Sequence, residues 1–328
     1  MQIRFRDRTF DLEAGESVLE GLLRAGEKIS NSCRSGACQS CLLRCLEGEL
    51  PKASQAGLRP RARAAGLFLS CQCRPQGSLS IADASDALAG ASRFQLELVE
   101  RDFLAPSIFR LRFKATGMPA FLGGQFIALE KPDGLARSYS IASLANEDLI
   151  ELHVRQIPDG RMSGFLADEL NIGETLQAEG PRGDCTYEAG KLDQGLFLVG
   201  VGTGMAPLWA VLRSALAVGH RGPINVLQAG LTPDRLYLLE ELRELAARHD
   251  NLTSSTVVKE DPKSLAAEDC VVGDLFELLR KLAPEPRGQR IFLCGDPNLV
   301  NQLRREFFLS GAALDDILGD PFAPAVET

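Results

Sequence analysis

Cys33, Cys38 and Cys41, followed by Cys71 after a gap of 29 residues, have the C-x4-C-x2-C…C spacing of a 2Fe-2S site. Four thiolates so spaced can converge on two irons, and such a cluster carries one electron at a time. Gly36, Ala37 and Ser40 are small enough for the backbone of CRSGACQSC to wrap closely. A chain with nine cysteines also admits blander readings, buried or disulfide-paired thiols and zinc. Structural zinc usually takes two C-x2-C pairs, or one pair with two histidines. Here there is one C-x2-C pair, and His153, His220 and His249 all lie far from it. Cys45 and Cys73 are near enough to be alternative ligands, so Cys71 is preferred over Cys73 on spacing alone. Cys45, Cys73, Cys185 and Cys270 are read as structural.

Further along the chain, other groups could hold phosphate. Arg137 in ARSYSIAS offers a fork of donors to an anion. Gly200, Gly202 and Gly204 in VGTGMAP would let backbone amides approach a pyrophosphate at a helix N-terminus. Either string alone is a weak signal. CGDP, Cys294 to Pro297, ends one apolar run and opens another, which puts it at the carboxyl edge of a parallel sheet, where such sheets bind ligands.

These groups need elements to position them. QIRFRDRTFDLEAG alternates around a turn at Arg6 to Arg8, as a hairpin with one buried face does. SVLEGLLRAG predicts a helix capped by Ser17 and ending at Gly26. After the polar stretch 82–92, Phe94, Leu96 and Leu98, then Ile108, Phe109, Leu111 and Phe113, read as strands parted by a turn at Pro106. GGQFIALE and LIELHVRQI continue the series, so the middle of the chain is a small closed or Greek-key barrel. MSGFLADEL predicts a helix begun by Met162 and Ser163. GLFLVG, LWAVLRSALAVG, PINVLQAG, a helix from about Leu236 to His249, LTSSTVVKE and IFLCGDP alternate strand and helix as a doubly wound sheet does, with the last helix beginning near Asn298.

The length of 328 residues allows two or three domains, and 45% apolar with 24% charged residues is ordinary globular composition. Residues 195–212 are uncharged, but their glycines and Pro207 break them into strand, turn and helix rather than a membrane span. The charged N-terminus is unlike a signal peptide, and reduced thiols fit the cytoplasm. A net charge of −8 speaks against nucleic acid. Residues 1–88 hold 12 Lys/Arg and 10 Asp/Glu, against 24 and 34 in the remainder. Arg34, Arg59, Arg61 and Arg63 therefore read either as a solvated face or as a docking face for an acidic protein.

Residues 1–88 resemble a plant-type ferredoxin of the β-grasp fold. Residues 92–190 resemble the flavin barrel of the ferredoxin-NADP reductase superfamily, and 191–328 its nicotinamide domain. The three in this order look like the reductase component of a multicomponent bacterial oxygenase. The resemblance implies FAD, which the motif alone does not separate from FMN. It places Arg137 and Ser138, with His153, Val154, Arg155, Met162 and Ser163, among the flavin contacts, Tyr139 on the ring or ribityl chain, and Ser140 at the N5 edge. It assigns Gly202, Thr203 and Gly204 to the dinucleotide phosphates, Cys294, Gly295, Asp296 and Pro297 to the nicotinamide, and Phe322 of the tail ILGDPFAPA to a cover over the flavin.

Ser140, Tyr139 and Cys294 are thus the expected catalytic set. Asp234 and Arg235 are both available to read the adenosine ribose, and similarity to oxygenase reductases in the T-P-x-x-L-Y segment favours NADH over NADPH. The implied reaction passes hydride to flavin, then single electrons to the cluster and to an external protein, with the chain monomeric on its own. A non-oxygenase acceptor, such as a deoxysugar-modifying iron-sulfur enzyme, is the alternative, and a non-catalytic redox sensor a minor one. With no two-histidine, one-carboxylate set, no hydroxylating centre is expected in this chain.

Overall fold

The computed structural model describes every residue except 7, 30, 32–33, 37–40, 59, 85–91, 262–263, 265–266, 268 and 323–328, and the side chains of 60 and 61. Two compact units follow one another, Met1–Ala91 and Ser92–Phe322.

The first unit runs β1 (Gln2–Phe5), β2 (Arg8–Asp11), α1 (Val18–Arg24), β3 (Leu42–Glu47), α2 (Pro60–Ala64), β4 (Leu67–Leu69) and β5 (Leu79–Asp83). Its sheet order is β2-β1-β5-β3-β4, with β1 and β5 parallel and the other pairs antiparallel. This is the β-grasp arrangement. Ser17 caps α1 in a full capping box with Glu20, and Val18, Leu19 and Leu22 enter the core beside Ile3, Phe5 and Phe68.

The second unit opens with β6 (Ser92–Ala105), β7 (Ile108–Thr116), β8 (Phe126–Glu130), β9 (Ala136–Ser140), β10 (Ile150–Arg155), α3 (Arg161–Gly164) and β11 (Thr175–Arg182). The order β10-β7-β6-β11-β8-β9 closes into a Greek-key barrel where Ile141, just past β9, bridges to Leu152. Then come β12 (Leu196–Val201), α4 (Met205–Ala217), β13 (Ile224–Gly230), α5 (Leu239–Arg248), β14 (Leu252–Val258), β15 (Cys270–Val272), α6 (Leu275–Leu282), β16 (Arg290–Gly295), α7 (Pro297–Leu309) and β17 (Ile317–Pro321). All pairs of the sheet β15-β14-β13-β12-β16-β17 are parallel, and the order reverses between β12 and β16. That reversal is where a doubly wound sheet offers a crevice.

The run 195–212 is the expected strand, turn and helix, and no helix among the described residues is long and apolar enough to cross a membrane. Helix boundaries differ from expectation, beginning with α4, which starts at Met205, three residues before LWAVLRSALAVG. The helix expected from Leu236 starts at Leu239, because Pro233–Arg235 forms a short 3-10 turn and Leu238 takes a left-handed conformation (φ 59°). The last helix starts at Pro297, one residue early, because Asp296 caps it by accepting from the amides of Asn298 and Leu299. MSGFLADEL is not one α-helix. A single turn over Arg161–Gly164 widens into a π-turn over Phe165–Glu169.

Candidate functional site

Of the candidate cluster ligands, Cys33 and Cys38 lie outside the described residues, while Cys41 and Cys71 are buried. Ser70 ties them together: its amide and hydroxyl both donate to the Cys41 carbonyl, at 3.1 and 2.7 Å. Gln72 Nε2 lies 3.2 Å from the Arg34 carbonyl and 3.6 Å from Cys71 Sγ, lashing the Cys71 turn to the loop. Gly36 takes φ 87°, and a Cβ there would sit 3.0 Å from Gln72 Cγ, so the close wrap requires glycine. Cys73 lies in the same core cluster as Cys41 and Cys71. It is wholly buried, and burial pushes its thiol up to about 12, with Ser54 and Cys45 beside it. Arg34 does not splay freely outward, since its Nε donates to Asn31 Oδ1 at 3.1 Å. Arg59 and the side chain of Arg61 lie outside the described residues.

In the second unit, β9 presents ARSYS beside β8. Arg137 is half-buried and donates to the Ala136 carbonyl, and no carboxylate among the described residues pairs with it. Ser138 Oγ is buried without a hydrogen-bond partner among the described residues. Tyr139 lies half-buried against the barrel core, and burial pushes its hydroxyl up. A polar orphan, an unpaired guanidinium and an aromatic wall together suit a flavin dinucleotide, with its anionic arm and hydrogen-bonding ring edge.

Ser140 is different. Its Oγ donates to Asp320 Oδ2 at 3.1 Å across 180 residues of sequence. Asp320 sits opposite Cys294 in the β16–β17 register, and the surrounding protein strips enough water from its carboxyl to push it up to about 6. Cys294 is fully buried, its thiol pushed well up by burial, with Cys185 Sγ at 3.4 Å. Ser140, Asp320 and Cys294 therefore meet where the barrel touches the parallel sheet. The tail does the joining: β17 extends the sheet, and the Phe322 amide donates to the Gly295 carbonyl at 2.7 Å.

The sheet's switch point is shaped by glycine. A Cβ on Gly204 would fall 2.0 Å from the Cys294 carbonyl oxygen, and one on Gly295 2.4 Å from that of Val201. Gly202, at φ 56°, faces open space. The turn Gly202–Gly204, with Thr203 at its middle, thus packs tightly below and stays open above, a cradle suited to a dinucleotide pyrophosphate.

Several expected contacts use their side chains elsewhere. His153 is buried between Glu151 (Nε2 to Oε1, 2.9 Å) and Tyr237 (Nδ1 to hydroxyl, 3.3 Å), so its imidazole is not free for flavin. Val154 and Met162 point into the barrel core. Ser163 Oγ accepts from the Ile157 amide at 3.1 Å and holds the loop before α3. For these residues only backbone groups remain to meet a ligand. Arg155 faces Arg235 and Asp296: burial and repulsion from Arg235 pull its pKa down, opposed by Asp296. Sequence reasoning missed Asp320 and Tyr237. The first could have been found by treating ILGDP as a further parallel strand in register with IFLCG.

A barrel with an ARSYS strand, joined to a parallel sheet with an open glycine turn, defines a flavin- and nicotinamide-linked reductase, here preceded by a β-grasp unit. Family models agree segment by segment: a 2Fe-2S iron-sulfur cluster binding domain at residues 2–76, an oxidoreductase FAD-binding domain at 95–187 and an oxidoreductase NAD-binding domain at 198–305. The chain is 32% identical to the reductase subunit of an aromatic O-demethylase from Amycolatopsis sp., over 97% of each chain. It is 29% identical to the ferredoxin–NAD(P)+ reductase component of a naphthalene 1,2-dioxygenase system from Pseudomonas putida, over 98% of each. The crystal structure of an Amycolatopsis cytochrome P450 reductase superposes with TM-score 0.73 at 29% identity, over 99% of each chain.

The chain belongs to the family of 2Fe-2S flavoprotein reductases of the ferredoxin-NADP reductase type. It is an NAD(P)H-dependent oxidoreductase with FAD and a 2Fe-2S cluster, and it passes electrons to a protein acceptor.

Proposed function

We propose that this reductase takes hydride from NADH and delivers single electrons to an oxygenase component in the cytoplasm, acting as a monomer. The observation that carries the hydride step is the meeting of Ser140, Asp320 and Cys294 beside the open Gly202–Gly204 turn. The oxygenase acceptor is supported by the printed functions of the relatives.

The functional division we infer is 1–88 for the cluster, 92–190 for flavin and 191–328 for the dinucleotide. Cys33, Cys38, Cys41 and Cys71 would hold the cluster. Arg137 would pair with the flavin pyrophosphate, Tyr139 would cover the ribityl side of the ring, and Ser138 would gain the partner it lacks. The flavin, when bound, supplies the exchange between two-electron hydride chemistry and the one-electron chemistry of the cluster. Ser140 orients the ring edge and is itself oriented by the Asp320 carboxylate. Gly202, Thr203 and Gly204 present amides to the dinucleotide, while Cys294 to Pro297 form the floor under the nicotinamide and Phe322 shields the ring from water. Arg155 and Arg235 supply positive charge at the same edge.

The test is a visible spectrum during anaerobic NADH titration, wild type against Cys71→Ser. We expect flavin and cluster bands to bleach in the wild type. The variant should reduce its flavin at the wild-type rate yet lose electron transfer to cytochrome c. Loss of flavin reduction in Cys71→Ser would overturn the modular relay.

A further inference from the structure

Tyr237 and His153 are buried against each other where the barrel meets the parallel-sheet layer. Their rings meet edge to face with centroids 5.3 Å apart, and the hydroxyl lies 3.3 Å from Nδ1. His153 Nε2 faces the Glu151 carboxylate, which also accepts from Arg112 Nε at 2.8 Å. Burial pushes Glu151 up, but His153, Arg112 and Arg110 outweigh it and hold the group at about 2. An ionised carboxylate only accepts, so Nε2 carries the proton and Nδ1 receives the tyrosine O–H. Burial drives His153 down, which keeps it neutral in this role.

The pair is placed two residues from each of the arginines at the dinucleotide edge. His153 and Arg155 share one face of β10 by strand alternation. Arg235 precedes Tyr237 by two residues, and its Nη1 donates to Ser107 Oγ of the barrel at 3.3 Å. Two guanidiniums held close repel, and an anion between them would relieve that repulsion.

The segment bearing Arg235 and Tyr237 is held by a turn and by buried side chains: Leu236 and Leu238 are buried on either side of Tyr237. Leu238 takes φ 59°, ψ 24°, and α5 begins with no side-chain cap. A left-handed leucine persists only where its surroundings over-determine it. Leu236 and Leu238 supply apolar packing there, and Tyr237 adds the one polar tie of the three, its hydroxyl to His153.

We propose that the Tyr237–His153 pair is a positioning strut, which holds Arg235 beside Arg155 and so sets the affinity for the dinucleotide phosphates without touching the reacting atoms. The proposal rests on reading the Gly202–Gly204 edge as the nicotinamide dinucleotide site. The experiment uses the full-length holoprotein and stopped-flow flavin reduction across NADH concentrations. In Tyr237→Phe the Kd for NADH should rise about 3- to 10-fold, the range for one lost neutral hydrogen bond, while the limiting rate stays within about twofold. His153→Asn, which keeps an acceptor near the Nδ1 position, should bind NADH more tightly than His153→Ala. A lower Tm with unchanged Kd in Tyr237→Phe would make the pair a mere structural tie and overturn the strut. So would a fall in limiting rate at constant Kd. Arg235→Ala separates the two levels: unchanged Kd there removes Arg235 from the dinucleotide site, whereas weakened binding there with a silent Tyr237→Phe overturns the strut alone.

Discussion

The units Met1–Ala91 and Ser92–Phe322 draw their sites from very different stretches of chain. In the first, the candidate ligands Cys33, Cys38 and Cys41 fall within nine residues of sequence, and Ser70 and Gln72 tie the neighbourhood of Cys71 to Cys41 and Arg34. In the second, Ser140 meets Asp320 across 180 residues, Cys185 meets Cys294 across 109, and His153 meets Tyr237 across 84. Electron transfer to a cluster tolerates a site that is locally built and self-contained. Hydride transfer demands near-attack geometry between two bound molecules, which on our reading a fixed barrel–sheet boundary would provide. Further ties stiffen that boundary: Arg213 pairs with Glu147, and the Tyr187 hydroxyl lies 2.9 Å from His220 Nδ1.

Gly204→Ala breaks this comparison hardest. Its Cβ would fall 2.0 Å from the Cys294 carbonyl oxygen and 2.7 Å from the Gly295 amide, both backbone atoms that cannot swing aside. Either the turn or β16 must shift, and a displacement near 1 Å costs roughly 100-fold in hydride transfer. Stopped-flow reduction by NADH should show that loss, while dithionite still reduces the cluster and its visible bands remain. A variant that reduces its flavin at the wild-type rate would show that the turn does not need this packing.

The same contrast governs how much could be read from residue order. The cluster spacing, the capped α1 and the β-strand alternation are local patterns, so the 2Fe-2S domain, the Ser17 cap and the barrel strands were legible. The glycine turn Gly202–Gly204 was legible too, because a turn between strand and helix is local. Asp320 and Tyr237 were not, since their roles arise only when β17 aligns with β16 and when Tyr237 reaches β10. His153 shows a converse limit: its place in HVR pointed to flavin, but the sequence could not show that its ring packs between Glu151 and Tyr237. The late start of α5 has a local cause, the Pro233–Arg235 turn, that apolar periodicity hides.

Ser140→Ala probes the boundary more gently. The hydroxyl lost is one donor to Asp320 and, on our reading, one contact to the flavin edge. The limiting rate of flavin reduction should fall roughly 10-fold, as expected for one well-placed hydrogen bond, with NADH affinity barely changed. An unaltered rate would remove Ser140 from the reacting site and leave the comparison resting on Gly204 and Cys294.

Asp320→Asn gives the smallest effect, visible mainly as a change of pH profile. Burial raises this carboxyl to about 6, above its ordinary value of 3.8, so the fold favours the neutral acid. Its contribution to stability is therefore fully present below pH 3.8, declines as pH rises, and is lost above about 6, where the folded protein carries the charge. Over the same upper range Ser140 changes from facing a neutral acid to donating to a carboxylate. Flavin reduction measured from pH 5 to 8 should therefore show an inflection near 6 in the wild type. Asparagine does not titrate, so the inflection should vanish in Asp320→Asn, and the variant's Tm should depend less on pH between 4 and 7. An inflection that survives the substitution would assign the titration to another group and detach Asp320 from the flavin edge. The first unit lacks this aspartate, so reduction of its cluster by dithionite should keep the wild-type pH dependence in the variant.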